Sequence, residues 1–115
     1  MKTMFDDTSS IQITPKDVKA RIEKKEPIVL LDVREPWEVA VARMEGATHI
    51  PLGELGRRFS ELDSDAEIVV YCHMGVRSLR AVQFLRQQGL EHVWNLSGGI
   101  DAWSLEVDPA VPRYR

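Results

Sequence analysis

The chain has 115 residues, 43% of them hydrophobic and 29% charged, with a formal net charge of −3. That length suits one domain burying roughly 65% of the surface its extended chain would expose, and the balanced charge supplies no general pull toward nucleic acid or an anionic membrane. One cysteine excludes an internal disulfide, a multi-cysteine zinc site and a CxxC redox pair.

No apolar run approaches the roughly 18 residues of a membrane span, and the opening MKTMFDDTSS lacks the apolar centre of a secretory signal, so the cytoplasm is the expected compartment. Ile11 and Ile13 then alternate with Gln12 as in a short strand. Thr14, Pro15 and Asp17 read as N-cap, first helical residue and first-turn acid. The helix they start would bury Val18 and Ile22 and end in solvent at EKKE, before Pro27. PIVLLDV, residues 27 to 33, is a continuous apolar run suited to a strand covered on both faces.

REPWEVAVARMEG again places a proline at a helix start, with Trp37, Ala40 and Val41 at helical spacing and Gly46 closing the segment. ATHIP predicts a brief strand, and Gly53 to Leu62 a short helical turn followed by a polar loop. EIVVYC is the second strongly apolar strand. SLRAVQFLRQQG is the best helix of the chain, with Ala81, Val82 and Leu85 on one face and Gly89 past its end. HVWNL predicts a strand, SGGIDAW a glycine-loosened turn into a short helix, and SLEVDPAVPRYR an irregular tail. Strands alternating with helices argue for an α/β fold, a parallel sheet with helices on both faces. Ligands of such sheets sit beyond the carboxyl ends of the strands, where Cys72 falls.

A lone cysteine after an apolar strand is commonly a buried structural residue. Its setting here argues otherwise. His73, Met74, Gly75, Val76 and Arg77 separate it from the helix, and Gly75 lets the backbone curl so that successive N–H groups point inward as a nest for a small anion. Arg77 and Arg80 are disfavoured in a helix's first turn unless something negative lies nearby. A helix terminus contributes up to about 2 kcal/mol toward an anion, so the charge of Arg77 and the loop amides must add to it before the thiolate dominates.

LDVREPWE, GATHIP, VVYCHMGVRS and NLSGGIDAW, in this order, resemble the rhodanese family of sulfurtransferases over about residues 10 to 105. Residues 1–9 and 106–115 would then be terminal extensions. The resemblance implies a five-stranded parallel sheet and a persulfide intermediate. Cys72 would be nucleophile and sulfur carrier, and His73, Met74, Gly75, Val76 and Arg77 would cradle the persulfide, with Arg77 helping to hold a donor such as thiosulfate. A thiol-bearing protein or cyanide would serve as acceptor, with no metal or organic cofactor implied. The stretch Ala42-Arg43-Met44-Glu45 before GATHIP departs from the family's usual Gly-His-Ile-Pro pattern and affects the turn there.

Cysteine phosphatases and arsenate reductases attack from a similar loop but resemble a pattern with five residues between Cys and Arg. Here there are four, a tighter ring suited to one sulfur rather than a tetrahedral oxyanion. A non-catalytic rhodanese-like binding module is a further alternative, although that class often lacks the loop cysteine. Asp32 is expected to accept loop N–H bonds and Arg34 to pair with Glu38, both structurally. His73 is expected at the rim rather than as a base, His49 and His92 in local hydrogen bonds, and Trp37, Trp94 and Trp103 in core or boundary packing. The family resemblance implies that the Gly98-Gly99 pair lets backbone pass close to the cysteine loop.

Overall fold

The computed structural model describes residues 9 to 115. A 3-10 turn, Ser9–Ile11, leads into β1 (Gln12–Ile13), followed by α1 (Pro15–Glu23), β2 (Ile28–Asp32), α2 (Pro36–Val41), β3 (Thr48–His49) and α3 (Leu52–Arg58). A second 3-10 turn, Phe59–Glu61, precedes β4 (Glu67–Tyr71), α4 (Val76–Gln87), β5 (Val93–Leu96) and α5 (Gly99–Glu106). The five strands form one sheet in the order β1-β5-β4-β2-β3, and every pairing is parallel.

The apolar runs are two-faced, as strands covered on both sides must be. Leu31, Ile68 and Val70 turn to one side and pack with Leu55 of α3 and Ala81, Val82 and Leu85 of α4. Their neighbours Leu30, Val69 and Tyr71 turn to the other and pack with Val18 of α1 and Ile100 and Trp103 of α5. Local signals start α1 as the sequence indicates: the Thr14 hydroxyl accepts the Asp17 N–H at 3.1 Å, and Pro15 takes the first helical position. Ile22, expected on the buried face, is 42% exposed because α1 ends one residue later and the chain turns away. No helix among the described residues is long and apolar enough to cross a membrane.

The segment after β2 differs most from expectation. The helix stops at Val41, and Trp37, Ala40 and Val41 face solvent. Glu38 is buried instead, while Ala42 and Met44 enter the core from non-helical chain. Six residues make too little helix for spacing to determine the buried face, and the pull comes from the partners the Glu38 carboxylate finds elsewhere, the Arg77 guanidinium of α4 and the Tyr114 hydroxyl. The tail 107 to 115 has neither helix nor strand, yet it packs against the domain through Val111, whose carbonyl accepts the Ser104 hydroxyl at 2.6 Å.

Candidate active site

β4 ends at Tyr71, and the chain turns beyond the sheet's carboxyl edge through Cys72, His73 and Met74 before Gly75 starts α4. Gly75 has φ +99°, a left-handed conformation that side chains disfavour, and a Cβ there would lie 3.2 Å from the Gly98 nitrogen. Because Gly75 carries no capping side chain, the first amides of α4 stay available to another acceptor. The acceptor is Cys72: its Sγ receives the Gly75 N–H at 3.1 Å, the Ser78 N–H at 3.4 Å and the Ser78 hydroxyl at 3.3 Å. The residue is 1% exposed and belongs to the apolar cluster with Val70 and Ala81, yet its sulfur faces donors rather than carbonyls.

A second layer fixes this turn. The backbone carbonyls of Cys72 and His73 accept the N–H groups of Ile100 and Asp101, from the first turn of α5, at 2.9 and 3.1 Å. Such close approach requires Gly99: a Cβ there would stand 2.7 Å from the Cys72 carbonyl oxygen and closer still to that of His73. Asn95, buried on β5, donates both amide hydrogens, to Gln12 Oε1 at 3.0 Å and to the Gly75 carbonyl at 3.1 Å. Its Oδ1 therefore accepts, and the Ser78 hydroxyl lies 2.5 Å from it. One hydroxyl proton thus has two possible acceptors, Asn95 Oδ1 and Cys72 Sγ.

Of the five residues expected between Cys72 and the helix, only His73, Met74 and Gly75 precede α4, because Gly75 caps it and Val76 and Arg77 form its first turn; the five lie in different settings. Gly75 donates to the sulfur, whereas Met74 and Val76 are 55% and 67% exposed at the rim. His73 stacks on Tyr114 with ring centroids 4.0 Å apart and planes 14° from parallel. Its Nε2 is buried without a hydrogen-bond partner among the described residues. Arg77 does not stand free to face a donor: its two Nη atoms each bind a Glu38 carboxylate oxygen at 2.7 Å. That bidentate grip, aided by the Tyr114 hydroxyl donating at 2.8 Å, outweighs burial and holds the Glu38 carboxyl down to about 2. The guanidinium's charge remains within interaction range of Cys72.

Arg34 corrects another expectation. Its charge partner is Asp32, whose carboxylate receives Nε at 2.9 Å and Nη2 at 2.7 Å, while Glu38 offers it only a backbone carbonyl at 3.3 Å. Asp32 also accepts the Arg34 backbone N–H, at 3.0 Å. The fully buried guanidinium spends its remaining donors on the Ala42 carbonyl and the Tyr114 hydroxyl, so it braces the loop after β2. His49 is satisfied locally, its Nε2 lying 2.7 Å from the Arg34 carbonyl. Of the tryptophans, Trp103 is in the core, Trp94 is half-buried and Trp37 is 58% exposed.

Sequence reasoning did not single out Ser78, Asn95 or Tyr114. Asn95 had a usable signal, a carboxamide inside the apolar run VWNL of a covered strand. Ser78 had a fainter one, a hydroxyl in the first turn of an uncapped helix.

A parallel α/β sheet with a thiol held by helix-start amides at its carboxyl edge defines a cysteine-loop class of protein. Comparison with known proteins narrows it: the model of the Rhodanese-like domain matches residues 14 to 106, and the chain belongs to that family. It is similar to a protein named sulfurtransferase from Allochromatium vinosum, 36% identical over 100 residues that cover 87% of this chain and 94% of the relative. A putative sulfurtransferase of Bacillus subtilis is 38% identical over 98 residues, covering 85% and 94%. The crystal structure of a rhodanese-related protein from Thermoplasma volcanium matches with a TM-score of 0.79 at 34% identity, covering 90% of this chain and 98% of that one.

Proposed function

We propose that the protein is a sulfurtransferase that carries sulfane sulfur as a persulfide on Cys72. The observation that carries the reading is the convergence of the Gly75 N–H, the Ser78 N–H and the Ser78 hydroxyl on one sulfur at the sheet's carboxyl edge. Donors aimed at one atom stabilise negative charge there without reorganisation, which favours both the attacking thiolate and the terminal charge of a persulfide. The names of the full-length relatives in Allochromatium vinosum and Bacillus subtilis support the same chemistry.

With thiosulfate as donor, the Cys72 thiolate attacks the outer sulfur and a new S–S bond forms. The S–S bond of thiosulfate breaks, its electron pair leaving with sulfite. A nucleophilic acceptor, a protein thiolate or cyanide, then attacks the terminal sulfur of the persulfide and returns Cys72 as thiolate. Neither half needs an external oxidant or reductant. Arg77 acts from its seat on Glu38, contributing charge near the sulfur rather than gripping the donor. Because Cys72 is 1% exposed, admission of the donor calls on the exposed Met74 side chain to shift, while His73 stays held by α5 and Tyr114.

Intact-mass measurement after incubation with thiosulfate tests the reading. One added sulfur atom, removed by a thiol reductant and absent in Cys72→Ser, is the expected result. No mass gain under conditions where an active sulfurtransferase loads fully would favour a non-catalytic binding module.

A further inference from the structure

Tyr114 lies eight residues beyond the segment that defines the family match, residues 14 to 106, in a tail without regular structure. It nevertheless touches the site from two directions. Its ring stacks on His73, the residue after the nucleophile, at 4.0 Å, and meets Trp37 edge-on at 5.9 Å. Its hydroxyl donates to Glu38 Oε2 at 2.8 Å and accepts from Arg34 Nη1 at 2.9 Å. One phenol thereby joins the buried Arg34–Asp32 pair of the core to the Glu38–Arg77 pair beside the sulfur.

The tail is anchored independently of this residue. Val111 is in the core, and Arg113 pairs with Asp101 at 2.9 Å. Asp101 is the same residue whose N–H holds the His73 carbonyl. His73 is thus fixed at its backbone by α5 and at its ring by Tyr114. With Nε2 unpaired among the described residues, no hydrogen bond from that atom shares the work.

We propose that Tyr114 is a positioning residue of the active site: by stacking on His73 it holds the 72 to 75 turn in the conformation that aims the Gly75 and Ser78 donors at the sulfur. The consequence for sulfur transfer rests on the function proposed above. The structural part does not.

The test compares the full-length wild type with Tyr114→Ala and Tyr114→Phe, using hydrogen exchange followed by mass spectrometry and the rate of persulfide formation at saturating thiosulfate. In Tyr114→Ala, peptides covering residues 72 to 78 should exchange about tenfold faster, the equivalent of losing an aromatic contact of about 1.4 kcal/mol, while β2 peptides keep their protection. The saturated rate should fall by a similar factor. Tyr114→Phe, which keeps the ring and loses only the hydroxyl, should restore both to within about threefold. Wild-type protection of the turn in Tyr114→Ala overturns the proposal, as does a loosened turn with an unchanged rate. If Tyr114→Ala loosens the whole sheet through Arg34, His73→Ala removes the stack without touching that anchor. It must then loosen residues 72 to 78 alone, or the proposal fails. A wild type that never forms persulfide would refute the proposed function and leave the exchange result to judge the stack.

Discussion

Ser78→Ala removes a proton for which two acceptors compete. The hydroxyl sits 2.5 Å from Asn95 Oδ1 and 3.3 Å from Cys72 Sγ. While the sulfur is a neutral thiol, the proton belongs to Asn95. Once the sulfur is anionic, turning the proton toward it exchanges a neutral hydrogen bond of about 0.5–1.5 kcal/mol for a charge-assisted one of about 1.5–3 kcal/mol. The net stabilisation of the thiolate is about 1 kcal/mol, a factor of about five in its population. The expected outcome is a roughly fivefold slower reaction of Cys72 with iodoacetamide at fixed neutral pH, and a matching drop in persulfide formation. Asn95→Leu removes the competing acceptor and should speed the same alkylation. An alkylation rate within twofold of wild type in Ser78→Ala would refute the hydroxyl's part. A fall in Asn95→Leu would show that the Asn95 clamp on the Gly75 carbonyl outweighs its competition for the proton.

Two further outcomes follow from neighbouring contacts. Glu38, held down to about 2 by Arg77, binds fewer protons folded than unfolded as pH drops below its ordinary 4.5. Its contribution, about 3 kcal/mol at most, is therefore complete above about pH 4.5 and lost as pH falls through about 2. Arg77→Ala should cost about that much at pH 7 in urea unfolding, with the gap to wild type closing toward pH 2; a pH-independent gap would contradict the assignment. Gly99→Ala places a methyl against the Cys72 and His73 carbonyls at φ +64°. It should lower stability by at least about 2 kcal/mol in the same assay and slow persulfide formation, whereas a silent substitution would mean that the α5 junction yields freely.

What the sequence made legible depended on how local the cause was. Thr14, Pro15 and Asp17 lie within one turn and predicted the start of α1 correctly, and the apolar runs around Leu31 and Val70 disclosed strands covered on both faces. The close approach at Gly99 was legible only through the family resemblance, since the glycines by themselves indicate no more than a loosened turn. The partners of Arg34 and Arg77 were not, since proximity in the chain favoured Arg34 with Glu38, while the fold carries Glu38 across to a helix 39 positions later. Tyr114 was the least visible: its hydrogen bonds reach back 76 and 80 positions, and a proline-bearing tail offers no periodicity from which to infer a docking place.

The strand order has a consequence for biosynthesis. β5 lies between β4 and β1, and the amides that pin the Cys72 turn come from Ile100 and Asp101. A growing polypeptide that has emerged only through α4 owns the thiol but lacks the scaffold that shapes its surroundings. The surroundings that aim donors at this thiol are therefore complete only once β5 and α5 have joined the rest of the domain.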